Sequence, residues 1–270
     1  DSADNQIEVS GTTGDIVVSN PGGTVYGSAS PATVLPGSVI TGNLIVMAGG
    51  GNDGVSVNEL GVSGAAQLID SQGANTVDVR DASFDSVLAI TGGSLVDDIT
   101  LDQIAVASTT LVNSGGGNDV VSVEDSTTNV LYLNTGPGPD SLAAQGVAIA
   151  STFYVNSGTG NDTISLDNIH AMGTSIIQTG TGDDTLSVSG ATFDGFVNQF
   201  DAGGENDIDL IGNTFNNRVY VQTFAGTNHL TYGGNTFNDL VVFRGGNGAG
   251  DVLTDLGGNT INGPFIVIGF

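Results

Sequence analysis

Apolar and polar residues alternate strictly over short stretches of this chain, and the stretches return at a fixed interval. VSV at 55–57, VDV at 77–79, ITL at 99–101, VSV at 121–123, ISL at 164–166 and LSV at 186–188 each hold two aliphatic residues around one polar residue. In extended backbone that pattern puts both aliphatic side chains on one face. A Gly-rich turn precedes each stretch, as in GGGNDGVSV at 49–57, GGGNDVVSV at 115–123, GTGNDTISL at 158–166 and GTGDDTLSV at 180–188. An acidic or amide residue closes the turn at Asp53, Asn75, Asp97, Asp119, Asp140, Asp162, Asp184, Asn206 and Asn228. Successive members are 22 residues apart, once 21. A second predicted strand follows about half a period later, at 87–90, 130–133, 153–155, 219–221 and 240–243. Between the two lies a short segment that becomes explicit as GNTFN at 212–216 and 234–238 and GNTIN at 258–262.

A period this constant makes each repeat one coil of a solenoid that contacts only its neighbours. Strands within a coil are too short and too far apart in sequence for hairpins. They pair in parallel with their equivalents one coil away, so equivalent side chains stack in columns. No helical stretch and no linker stands out. The expectation is one domain over residues 1–270, with irregular first coils over 1–43 and regular coils over 44–270. A loop excursion falls at 12–36, which holds three of the six prolines.

The 22-residue period and the GNTFN phrases resemble right-handed parallel β-helix repeats, as in pectate-lyase-like proteins and many bacterial surface proteins. The resemblance covers nearly the whole chain and implies an all-β, right-handed parallel β-helix of about 22 residues per coil, in roughly twelve coils. That superfamily includes polysaccharide lyases, hydrolases, adhesins and phage tailspikes, so the fold alone does not choose a function.

Charge narrows the choice. Asp and Glu total 29 against three Arg and no Lys, for a net charge of −26. Nucleic acid has no basic patch to bind, and an anionic membrane surface would repel the chain. No apolar run approaches the roughly 20 residues of a membrane-spanning helix, so membrane insertion is not expected. Divalent cations, salt or a cationic partner would relieve the self-repulsion. There is no Cys. The chain starts on Asp1 and shows no signal peptide, which fits a processed, secreted protein at the cell surface or in the extracellular space.

The Gly-Asp turns are similar to the calcium-binding nonapeptide GGxGxDxUx, although here the phrase occurs once per coil. Ca²⁺ takes six to eight oxygens, and Asp97, Asp119, Asp140, Asp162 and Asp184 stack beside Gly carbonyls as its candidate ligands. The alternative is that Gly, Asn and Asp serve the turn itself. On the second strand, Leu131, Leu133, Phe153 and Val155 are predicted inward. That leaves an apolar outward column through Leu111, Tyr132, Tyr154, Ile176, Tyr220 and Val242 as a candidate contact surface for a protein or a polysaccharide. Catalytic groups are scarce. His170 and His229 fall in different coils, and Arg80, Arg218 and Arg244 are the only cations. Arg218 is the least poor candidate for the base of a lyase. No enzyme is expected.

The repeat begins with NQIEVSG at 5–11 and runs to PFIVIGF at 264–270 without a polar cap. An uncapped β-helix invites a second copy to stack on it. Ile7 and Val9 at one end, and Phe265, Val267 and Phe270 at the other, are the candidate assembly residues. The functional expectation is a non-enzymatic, secreted structural protein, the protomer of an end-to-end β-helix fibre or surface layer. The alternatives are a polysaccharide-binding or polysaccharide-cleaving β-helix, or a fragment of a surface adhesin.

Overall fold

In a computed structural model, which describes residues 6–9, 16–19, 38–70, 72–246 and 250–270, the alternating stretches form a parallel β-solenoid with about 22 residues per coil. The chain divides into two compact units, residues 1–136 and 137–270. Each is built from the same coil, and no described residue is helical. A coil runs through a leading strand after the Gly-rich turn, a short strand, and a long strand. Thr163–Asp167, His170–Ala171 and Ser175–Thr181 are one such set.

Register follows the repeat residue for residue. In the first unit Val55, Val77, Ile99 and Val121 pair in one column. In the second, Leu142, Ile164, Leu186, Ile208, Leu230 and Leu253 do the same. The reason is the two-residue period of the strand. A one-residue slip would send every aliphatic side chain outward.

The coils number about ten rather than twelve, and the described strands before Leu44 are Gln6–Val9, Ile16–Ser19 and Ser38–Ile40. Gln6–Val9 is a leading strand paired with Gly54–Asn58. The strands that complete its coil come only at Ser38–Ile40 and Leu44–Met47, which pair with Leu60–Val62 and Ala66–Ile69. Between them, Ile16–Ser19 is an extra strand added to the other edge of Leu44–Met47. The rest of the 12–36 excursion lies outside the described residues.

The core is a set of stacked columns. Phe193, Phe215 and Phe237 lie face to face with ring centroids 5.3 and 5.1 Å apart and nearly parallel planes. This is the coil spacing expressed in aromatic rings. The corner between leading and short strands takes one left-handed residue per coil. In the first unit these are Glu59, Asp81, Gln103 and Asp125. In the second unit the corner is Asn168 or a glycine, as at Gly190 and Gly212.

One inward position breaks the apolar pattern. Gln199 pairs with Ile177 on one side and Val221 on the other. It is 2% exposed, and neither amide atom has a hydrogen-bond partner. It borders a cavity of about 10 Å³ together with Phe193, Val197 and Phe215. An unsatisfied buried polar group costs about 1–3 kcal/mol, so Gln199→Leu is expected to raise stability by that order. A urea midpoint that stays put or falls would contradict this.

Candidate functional site

The Asp and Asn residues that close the turns point into the coil, and those from Asp53 to Asn228 are nearly fully buried. Each side chain reaches back to the preceding coil, where its Oδ1 accepts a backbone N–H. In the first unit Asp53 N–H donates to Asn75 at 2.9 Å, Asn75 to Asp97 at 3.0 Å and Asp97 to Asp119 at 2.9 Å. In the second unit Asp140 donates to Asp162, Asp162 to Asp184, Asp184 to Asn206, Asn206 to Asn228 and Asn228 to Asp251, at 2.7–3.2 Å. The ladder requires one oxygen at one place. Asp and Asn both supply it, which explains why they alternate along the repeat.

A second buried column lies across the turn, five residues earlier in most coils. It runs through Ala48, Asp70, Gly92 and Ser114 in the first unit, and Ser157, Thr179, Asp201, Thr223 and Gly245 in the second. The two columns compensate each other. Where the first holds Asn75 or Asn206, the second supplies Asp70 or Asp201, and Asn206 donates to Asp201 Oδ2 at 2.5 Å. Where the second shrinks to Gly92 or Gly245, the facing carboxylate turns into the space. Asp97 Oδ2 then accepts from Gly93 N–H at 2.7 Å, and Asp251 Oδ2 from Gly246 N–H at 2.8 Å. No turn pair carries two carboxylates, and only Thr223 with Asn228 carries none. Two carboxylates in one dry turn would repel strongly.

Burial governs the electrostatics here. It pushes Asp70 up to about 7, with the charges of Asp53 and Asp97 adding to the effect. Asp184 rises to about 7 by burial, reinforced by Asp162, Asp201 and Asp183. Burial carries Asp201 to about 6 and also lifts Asp97 and Asp162. Asp184 Oδ2 and Thr179 Oγ1 are buried without hydrogen-bond partners. The arrangement therefore holds protons readily. The five aspartates expected to bind calcium all belong to this column. Among the described residues no group of three or more His, Asp or Glu is placed to hold a metal ion.

The glycines of the turn are set by stacking. A Cβ on Gly182 would lie 1.7 Å from the carbonyl oxygen of Gly160, and one on Gly180 1.8 Å from that of Gly158. Adjacent turns therefore touch backbone to backbone.

Leu111 and Tyr132 pair in register on the outer face of the first unit and are exposed. Tyr154, Ile176, Asn198, Tyr220 and Val242 form the equivalent column in the second unit. Tyr154 donates to Gln178 Oε1 at 2.6 Å, and Tyr220 to Gln222 Oε1 at 3.0 Å. The outward residues of the long strands here include no carboxylate, whereas the leading strands carry Asp167, Asp207 and Asp209. The candidate catalytic groups are scattered. His170 meets Asp194, His229 meets Asp207, and Arg80 meets Asp78, all on exposed surface. Arg218 and Arg244 take part in no ion pair among the described residues.

At the C-terminal coil, Val252–Asp255, Thr260–Ile261 and Phe265–Ile268 each pair with the preceding coil. Phe265 is half-buried against Tyr232 and Phe243, Phe270 is half-buried, and Val267 is exposed. Ile7 and Val9 lie in the leading strand Gln6–Val9, and their side chains fall outside the described residues. A junction of Phe265–Ile268 with Ile7–Val9 would join a long strand to a leading strand, which occupy different faces of the coil.

No family model, curated protein or solved structure matches this chain.

Proposed function

We propose that the protein is a non-catalytic structural element, a β-solenoid protomer that adds further copies end on within a secreted fibre or surface layer. The observation that carries this reading is the register: each leading strand pairs in parallel, residue for residue, with its equivalent one coil away. Coils so alike in register stack on one another through backbone pairing, so a coil of one copy is a template for a coil of the next. An unprotected strand edge is a template for another strand. Copies with net charge −26 repel at low ionic strength, and salt screens that repulsion within about 10 Å at 0.1 M. In sedimentation velocity the intact chain is expected to run as a monomer at low salt and as polymers at high concentration in high salt or with Ca²⁺. A monomer under every condition would remove this reading.

The long strands of the second unit, free of outward carboxylates, support a second reading, a platform for a neutral polysaccharide. Rings such as Tyr154 and Tyr220 would stack on sugars while amides such as Gln178 and Gln222 met their hydroxyls. Retention on insoluble neutral polysaccharide that is lost with Tyr220→Ala would favour it. Polysaccharide cleavage lost with Arg218→Ala would overturn the non-catalytic claim.

A further inference from the structure

We infer that the turn closed by Asp184 binds one monovalent cation of the size of sodium, held between Asp184 Oδ2 and Thr179 Oγ1. The site is separate from the end-on contact proposed above and does not depend on it.

Each turn pair of the two buried columns carries one carboxylate at most, and one buried negative charge calls for one positive charge. No side chain supplies it. There is no Lys, and Arg80, Arg218 and Arg244 are exposed. In two other turns of the second unit, hydrogen bonds meet both oxygens of the carboxylate instead. Asp201 accepts from Gly203 N–H at 3.0 Å and from Asn206 Nδ2 at 2.5 Å. Asp251 accepts from Asn228 N–H and from Gly246 N–H, each at 2.8 Å.

Asp184 differs. Its Oδ1 accepts from Asp162 N–H at 2.9 Å, but its Oδ2 has no hydrogen-bond partner among the described residues. Across the turn Thr179 is 1% exposed, and its Oγ1 is equally unpartnered. The ladder to the next coil shifts register between Gln178 and Gly180, on either side of Thr179. Irregularities of this kind re-aim a side chain. Two buried oxygens therefore face one turn without bonding each other. A proton on Oδ2 would neutralise the carboxylate and leave the hydroxyl unmet, whereas a cation between the two takes lone pairs from both. Asp162, Asp201 and Asp183 add their negative field at Asp184, which favours a cation there.

Charge and space select the ion. Calcium draws on several carboxylates and carbonyls, and this turn pair offers one carboxylate. Adjacent turns touch backbone to backbone at Gly180 and Gly182, so an ion that is large or keeps its full water shell is excluded.

Urea midpoints at pH 8 in sodium chloride and in tetramethylammonium chloride of equal ionic strength test the site. The two salts screen surface charge alike, and tetramethylammonium is too large for the turn. The wild-type midpoint is expected to be higher in sodium chloride and to climb with its concentration, as mass action requires. Asp184→Asn keeps the oxygen that accepts Asp162 N–H and is expected to lose the difference between the salts. Thr179→Val removes one ligand and is expected to need roughly tenfold more sodium for the same gain. Equal wild-type midpoints in the two salts would overturn the inference. So would a sodium effect that persists in Asp184→Asn, or one that Thr179→Val leaves unchanged. Should either variant fail to fold, sodium NMR of the folded wild type decides. Line broadening that saturates at one ion per chain supports the site, and broadening that never saturates, as for a diffuse ion atmosphere, overturns it.

Discussion

Gly182→Ala is expected to lower stability by more than about 4 kcal/mol, placing it among the exceptional point substitutions. Its Cβ would sit 1.7 Å from the Gly160 carbonyl oxygen and 2.5 Å from the carbonyl carbon. Neither atom belongs to a flexible side chain, so the two turns must separate. Separation lengthens the bond from Asp162 N–H to Asp184 Oδ1, now 2.9 Å, and exposes a buried carboxylate. Gly212→Ala is the control. It too has a positive φ, of 69°, but its Cβ meets nothing within 4 Å. The expected loss there is only the left-handed penalty of about 1–2 kcal/mol. Denaturant midpoints compare the two. Equal, small losses would mean that adjacent turns do not touch backbone to backbone.

The second large effect is on pH. The folded-state values of Asp70 and Asp184 are raised to about 7 and that of Asp201 to about 6, whereas an unfolded aspartate titrates near 3.9. Between those limits the folded chain binds more protons than the unfolded one, so stability falls as pH rises. The contribution is fully present below about pH 4 and is lost as pH climbs through about 6 to 7. Each tenfold gain in proton affinity on folding is worth about 1.4 kcal/mol, so Asp184 accounts for roughly 2–4 kcal/mol. Asp184→Asn keeps the oxygen that accepts Asp162 N–H, as Asn75, Asn206 and Asn228 already do in their own coils. It is expected to match the wild type at pH 4, to exceed it at pH 8, and to flatten the slope between. Stability that increases from pH 4 to 7, or an Asn variant weaker than the wild type at pH 8, would contradict the buried ladder. Calcium is separable in the same titration. An ion held by Asp184 would stabilise the wild type at pH 8 more than it stabilises Asp184→Asn.

Much of the fold can be read from the chain because a solenoid writes its contacts at one sequence separation. The VSV, ITL and LSV stretches set the inward face, and the 22-residue interval sets the register without any knowledge of turns. The coil count is harder to read. Ile16–Ser19 is an extra strand, and no periodicity distinguishes a strand added from outside from one laid down in order. The site is half legible. The Asp and Asn column is visible because its members recur in a constant phrase. Its partner column is not, since Ala48, Asp70, Gly92 and Ser114 share no chemistry when read singly. The signal lies in the pair. Reading five residues upstream of Asn75 and Asn206 finds an aspartate each time. The left-handed corner is equally hidden, because Glu59 and Gln103 are not residues that announce a positive φ.

Electron micrographs of the purified, intact chain in high salt test the central claim most directly. The account predicts unbranched filaments of uniform width, with a repeat near 4.8 Å along the axis that continues across subunit junctions. A field of separate particles that never join end to end would contradict it.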